Sequence, residues 1–227
     1  MSTCGRLVSF SGIDGAGKTT QINTLMQRLK EKKYSIVYLW SRGGYTRWFD
    51  YLKKSIRKAS NGAIPPSGHS LKRDKMISHR MIGRVWLFLA ILDLIRLYGA
   101  NVRWQLLYGN IVICDRYLWD TLIDFKINFP AIKFEDWFIW RLLVYIAPVP
   151  DMSIFFYIPL NVSEQRSLLK SDPFPETIEK RTRRHYLYSE ITNTKANWDI
   201  IDGLKPIQEI ACKIWKNFSI DERNKFK

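Results

Sequence analysis

The sequence predicts an α/β fold built on a parallel sheet, and three observations carry that prediction. Short apolar runs of strand length alternate with longer runs whose apolar residues recur at helical spacing, the pattern of repeated strand–helix–strand units. The first strand-like run, Leu7–Phe10, leads directly into a glycine-rich turn and then into an amphipathic stretch. Two further runs, Ile111–Cys114 and Met152–Ile158, are apolar almost throughout, as strands covered on both faces are.

Taken in order, Leu7–Phe10 is the first strand. Thr19–Lys30 follows with Ile22, Leu25, Met26 and Leu29 at helical spacing, hence a helix with one buried face. Ser35–Trp40 is the second strand. Trp48–Lys58 and Met81–Tyr98 read as helices, separated by the turn-rich Asn61–Gly68. Ile111–Cys114 is the third strand. An aromatic-rich helix over Glu135–Ala147 ends before Pro148 and Pro150, and Met152–Ile158 is the fourth strand. The charged segment Glu164–Tyr188, a short strand at Trp198–Ile201 and a closing helix from Pro206 to about Phe218 complete the chain. No repeat and no Gly-, Ser- or Pro-rich linker divides it, so residues 1–227 read as one domain.

Composition narrows the class. A hydrophobic share of 46% is ample for a packed core. No stretch approaches the roughly 20 apolar residues of a membrane span; the nearest, Val85–Leu92, closes on Asp93 and Arg96 and reads as a buried helix. The N-terminus reaches its first strand without a secretory apolar region. Three scattered cysteines, Cys4, Cys114 and Cys212, lack metal-ligand spacing and argue for a reducing, cytoplasmic setting. The net charge of +15 suits phosphorylated small molecules, nucleic acid or an anionic membrane surface. About half of that excess lies between Tyr45 and Val85, where ten Lys/Arg face two Asp. A solvated basic face accounts for it equally well.

The chemistry is carried by Gly12-Ile13-Asp14-Gly15-Ala16-Gly17-Lys18-Thr19, which fits G-x-x-x-x-G-K-[ST] without a mismatch between a strand and a helix. Glycines let backbone N–H groups turn inward around phosphates, and the helix opening near Lys18 points its positive end at the same anion. Lys18 would neutralise the β- and γ-phosphates of ATP, and the Thr19 hydroxyl, with Thr20 beside it, would sit at a Mg²⁺ ion. Asp14 inside the loop would accept hydrogen bonds from an acceptor's hydroxyl, unless it is a solvent-facing turn residue. Asp115 closes the third strand, and the carboxyl ends of parallel strands line the ligand crevice. It is therefore a second candidate metal carboxylate, its alternative being a helix cap. Arg116 next to it could grip an acceptor phosphate through two N–H groups or simply pair with Asp115. Arg42 stands at the carboxyl end of the second strand in the same way. The cations Arg166, Lys170, Arg181 and Arg183, about the hinge-like Ser171–Pro175, read as a lid over residues 164–184 that brings positive charge to the transferring phosphate. A helix with a solvated basic face is the plainer reading.

Assembled, these pieces resemble a thymidylate kinase. The resemblance rests on Ser11–Gln21, on Asp115-Arg116-Tyr117, on Pro150-Asp151, on the run from Arg181 to Tyr186 and on Trp198 through Ile201-Asp202-Gly203. It implies a three-layer P-loop kinase fold: a five-stranded parallel sheet, helices on both faces and a lid. It also implies transfer from MgATP to dTMP. Carried over residue by residue, it puts Asp14 at the sugar 3′-hydroxyl, Arg42 and Arg116 (with Tyr117) at the acceptor phosphate, Phe88 against the base, and a catalytic arginine in the lid because Gly15 occupies the loop position. Arg181 and Arg183 are the first choices. The sequence departs from the family pattern at Leu92, where an arginine is usual, and in the shortened Ser41-Arg42-Gly43-Gly44. A different phosphorylated acceptor, a homodimer, and contact of the basic segment 45–85 with nucleic acid or membrane all stay open on the sequence.

Overall fold

The computed structural model describes residues 5–41, 80–169, 176–194 and 198–225. Five strands, β1 (Arg6–Gly12), β2 (Ile36–Trp40), β3 (Ile111–Asp115), β4 (Met152–Tyr157) and β5 (Asp199–Asp202), form one sheet in the order β2-β3-β1-β4-β5. Every pairing is parallel. The helices are α1 (Lys18–Glu31), α2 (Arg80–Leu94), α3 (Arg103–Leu107), α4 (Leu118–Asn128), α5 (Phe138–Ile146), α6 (Leu160–Leu169), α7 (Ile178–Thr194) and α8 (Ile207–Lys225). Between α2 and α3 the backbone widens into π-type turns over Ile95–Val102. The α/β class and the five-stranded parallel sheet expected from the sequence are therefore found.

Contacts group the residues into two compact units. The first comprises 1–40, 104–117 and 149–227 and holds the sheet; the second comprises 41–103 and 118–148. In the first unit β1 and β3 are buried at every residue, as central strands covered on both sides must be. Edge strand β2 is half-exposed. Asp151 locks β4 to β1: its carboxylate accepts from the Leu7 amide at 2.8 Å and its amide donates to the Leu7 carbonyl at 2.9 Å. Arg6, buried at the start of β1, donates to the Phe218 carbonyl at 2.9 Å and lies 3.9 Å from the centre of the Phe218 ring, fixing α8. Because β1 and β3 are neighbours with Phe10 opposite Asp115, the loop after β1 and the end of β3 come together at the carboxyl end of the sheet.

The second unit is helical and aromatic. Phe125, Phe134 and Trp140 meet edge to face, Phe134 lying 5.5 Å from Phe125 and 5.1 Å from Trp140 between ring centres. Several polar groups are buried there as well, among them Asp93, Asp120, Asp124 and Thr121. Tyr98, fully buried, exchanges a hydrogen bond of 2.8 Å with Ser41.

Three expectations need correction. Helix α4 was not foreseen, because Asp120 and Asp124 interrupt its apolar spacing although both are buried. The aromatic helix is broken at its start: Phe134–Asp136 forms a 3-10 turn and Trp137 is extended, so α5 begins only at Phe138. The helix over Met81–Leu107 is, by length and composition, long and apolar enough to cross a membrane, and a large share of it is buried within the protein. Asp93 and Arg96 do not break it because they pair with each other at 3.1 Å. Core helices pass the same test, so the property by itself assigns no membrane. The expected helix Trp48–Lys58, the turn Asn61–Gly68 and nearly all of the basic segment 45–85 lie outside the described residues.

Candidate active site

The site is built in the first unit by the turn between β1 and α1. Gly17 caps α1 in the left-handed region at φ 91°, and Gly12 ends β1 at φ 135°. A side chain is strained at both values, and a Cβ on Gly12 would lie 2.6 Å from the Phe156 carbonyl oxygen. Ile13 and Ala16 are buried, which pins the loop to the protein, while Gly17, Thr19 and Thr20 are open to solvent at the start of α1. The loop thus presents the helix N-terminus outward, where an anion is favoured. Lys18 is buried and its ammonium donates to the carbonyls of Gly12 at 2.9 Å and Ile13 at 2.8 Å.

Asp14 and Arg116 form an ion pair, Oδ1 to Nη2 at 2.5 Å, with Arg116 only 3% exposed. The guanidinium also donates to the Tyr188 hydroxyl at 3.2 Å. Arg116 itself is left-handed at φ 74°, and its amide donates to the Phe10 carbonyl at 2.9 Å. Such backbone geometry in a residue with a Cβ costs about 1–3 kcal/mol and persists where the surroundings hold it. Here β1 holds the backbone while Asp14 and Tyr188 hold the fork. The Asp115 carboxylate, buried at the end of β3, accepts from the Tyr38 hydroxyl at 3.3 Å. Partial burial first, and the Asp115 charge and hydrogen bond next, push the Tyr38 phenol up to about 12. Tyr117 is buried beside them.

The lid cations fall into distinct surroundings. Arg181 is buried and donates to the Ser167 hydroxyl of α6 at 3.1 Å, and Arg184 pairs with Glu176 at 2.9 Å. Arg183 is exposed. Lys170 and the Ser171–Pro175 stretch lie outside the described residues, as does Arg42. Phe88 and Leu92 belong to the second unit, one turn apart on α2 and both partly exposed. Among the described residues no group of three or more His, Cys, Asp or Glu could by itself hold a metal ion. Cys114 and Cys212 are unbridged.

A family model described as thymidylate kinase matches residues 10–61. Over 221 residues the chain is 26% identical to a thymidylate kinase of Fervidobacterium nodosum, covering 93% of this chain and 98% of the relative. It is 30% identical to a thymidylate kinase of Pelobacter propionicus, again over 221 residues, 91% of this chain and 90% of the relative. The chain belongs to the thymidylate kinase family. A thymidylate kinase of Danio rerio is 21% identical over 207 residues. These matches run across nine-tenths of the chain, so both compact units carry the thymidylate kinase likeness.

Ser163, Tyr188 and Tyr38, which donates to Asp115, are partners of the candidate site residues that carry no signal of it in the sequence motifs. Ser163 reaches the Gly12–Thr19 loop from α6, and a lone serine in a polar helix carries no signal of that. Tyr188 reaches Arg116, whereas the tyrosine that carried the resemblance, Tyr186, points to solvent. Helical spacing could have separated them, since Arg181, Arg184 and Tyr188 share one buried face of α7.

Proposed function

We propose that the chain transfers the γ-phosphate of ATP to dTMP, giving ADP and dTDP. The observation that carries this reading is the juxtaposition in the first unit of an anion-ready loop with the Asp14–Arg116 pair. Membership of the thymidylate kinase family supports it independently. The donor's phosphates would lie against the amides of Gly12–Thr20 at the N-terminus of α1. Lys18 would turn from its own loop carbonyls to the β- and γ-phosphate oxygens, where charge develops as the bond to ADP breaks. An oxygen of the dTMP phosphate attacks the γ-phosphorus in line, and ADP leaves.

The residues present fit a Mg²⁺ ion. One hydroxyl (Thr19) and one carboxylate (Asp115), completed by substrate phosphates and water, are the donor set this cation takes in place of an all-protein cage. Held there, it would supply positive charge that offsets the negative charge of the phosphates. Arg116 would hold the acceptor phosphate through charge-assisted bonds, with Tyr117 next to it in the chain; the family resemblance gives Arg42 the same task. Asp14 would keep Arg116 in place and accept from the sugar 3′-hydroxyl, and Phe88 would stack on the base. Arg183, the exposed lid cation, is the candidate for the transferring phosphoryl group; Arg181, held by Ser167, would support it. We place the reaction in the cytoplasm and treat residues 1–227 as one kinase domain.

The test is a coupled assay of ADP release with dTMP and with thymidine, on the parent protein and Arg116→Ala. The dTMP reaction should run and the thymidine reaction should not. Arg116→Ala should raise the KM for dTMP about tenfold or more, the scale of one lost charge-assisted hydrogen bond. Equal rates with dTMP and thymidine would contradict the acceptor assignment.

A further inference from the structure

Four consecutive carbonyls of the phosphate-binding loop accept hydrogen bonds from side chains. Lys18 covers Gly12 and Ile13. The Ser163 hydroxyl donates to the Asp14 carbonyl at 2.7 Å. Arg166 Nη1 donates to the Gly15 carbonyl at 3.1 Å and to the Gly203 carbonyl at 3.3 Å. The last two donors stand three residues apart on α6, one turn of the same face.

This arrangement bears on how an anion is held. In a peptide unit the N–H and C=O point to opposite sides of the chain. A loop that aims its amides at phosphate must therefore aim its carbonyls away, into protein, where each needs a donor. Lys18 serves two of them here, but in the proposed reaction its ammonium is needed at the phosphates. The carbonyls of Asp14 and Gly15 depend instead on Ser163 and Arg166 of α6, side chains with no other part in that reaction. The approach is close: a Cβ on Gly15 would lie 3.2 Å from the Arg166 Cβ and 3.3 Å from the Ser163 carbonyl oxygen. Arg166 also spans two loops. Gly203, in the turn after β5, donates its amide to the Tyr157 carbonyl at 2.8 Å, so Arg166 ties the phosphate-binding loop to a turn already anchored on β4.

We infer that Ser163 and Arg166 are positioning residues of the donor site, bracing the Asp14 and Gly15 carbonyls outward so that the loop amides face the nucleotide. The inference rests on the ATP-binding reading of the loop, and it assigns Arg166 a place different from that of a lid cation on the transferring phosphoryl group. A lid cation acts only in the transition state, so its loss lowers kcat and spares nucleotide affinity. A brace sets ground-state binding of the donor, so its loss raises the KM for ATP and spares that for dTMP.

The experiment compares Arg166→Met, Arg166→Lys and Ser163→Ala with the parent full-length protein. It measures kcat and both KM values with MgATP and dTMP, ADP binding by titration calorimetry, and the melting temperature without nucleotide. Arg166→Met should weaken ADP and raise the KM for ATP about tenfold, the equivalent of one hydrogen bond from a charged donor. The KM for dTMP should stay put and kcat should move less than the KM for ATP. Arg166→Lys, which keeps the charge on a shorter side chain, should restore part of the affinity, and Ser163→Ala should weaken ADP less than Arg166→Met does. A fall in kcat with unchanged ADP affinity would overturn the inference in favour of a catalytic cation. A lower melting temperature with unchanged ADP affinity would overturn it in favour of mere stability. If Arg166→Met does not fold, unchanged ADP affinity in Ser163→Ala overturns it equally. Lys18→Ala serves as the control: if it leaves both turnover and ADP binding intact, the donor-site reading itself has failed, whatever Arg166 does.

Discussion

The two compact units use buried polar groups in different ways. In the first, many of them are tied to backbone: Lys18, Ser163 and Arg166 to loop carbonyls at the carboxyl end of β1, Asp151 to Leu7 and Arg6 to Phe218 at its amino end. In the second, buried polar groups are tied to other side chains, Asp93 of α2 to Arg96 in the π-type turns and Tyr98 to Ser41, while Phe134 and Trp140 pack edge to face. Groups fixed to backbone set a loop's shape and therefore a binding geometry. Aromatic rings packed among helices set stability, since their contribution scales with the area they bury. Charge in the first unit should accordingly be felt in catalysis, and core volume in the second unit should be felt in folding.

The largest effect that could break this contrast is in the second unit. Phe134 is 1% exposed and touches both Phe125 and Trp140. Phe134→Ala should cost about 3–5 kcal/mol of stability, the range for emptying a buried aromatic site. Denaturant unfolding measures it, alongside ADP binding by the molecules that remain folded, which should be close to normal. A fully stable Phe134→Ala variant that bound ADP poorly would reverse the roles assigned to the units. The next effect is the mirror image. Lys18→Ala should lower turnover about 10²–10³-fold, the scale for removing one preorganised charge donor. Its melting temperature should fall by less than that of Phe134→Ala, because two buried loop carbonyls lose a donor while no aromatic core volume is emptied. Near-normal turnover would remove the loop from the chemistry altogether.

The same contrast explains how much was legible in the sequence. The first unit was read almost element by element, because an all-apolar strand such as Ile111–Cys114 and a loop such as Gly12–Thr19 carry local signals that burial then respects. Its finer wiring was not: nothing in a sequence says that Ser163 will meet the Asp14 carbonyl or that α7 will bring Tyr188 to Arg116, although helical spacing separates Tyr188 from Tyr186. Those pairings span 149 and 72 positions and follow from topology. The second unit was read less well. Helix α4 buries Asp120 and Asp124, which apolar spacing scores as surface, and Trp137 is extended inside an aromatic run that looks uniformly helical.

The smallest effect tests the far side of the site, where Tyr38 on edge strand β2 donates to Asp115. Its phenol is pushed up to about 12 from the ordinary 10.0, first by partial burial and then by the neighbouring carboxylate and its hydrogen bond. The sign follows from which form is charged. Below pH 10 the phenol is neutral in both folded and unfolded chains, so it contributes nothing to pH dependence there. Between about 10 and about 12 the unfolded chain loses this proton while the folded one retains it, so stability must fall as pH rises through that window. The side chain is half-exposed, so solvent screening keeps the effect modest. The measurement is ultraviolet phenolate absorbance after rapid pH jumps, read as the difference between the parent protein and Tyr38→Phe. The Tyr38 signal should be absent at the ordinary tyrosine pKa and emerge nearer 12. Asp115→Asn should move it downward, but not all the way to the ordinary value, because burial acts without the carboxylate. A Tyr38 phenol that titrates normally in the parent protein would mean that Asp115 is not oriented by Tyr38 in solution. Asp115 would then have to be held for its proposed metal role by other neighbours.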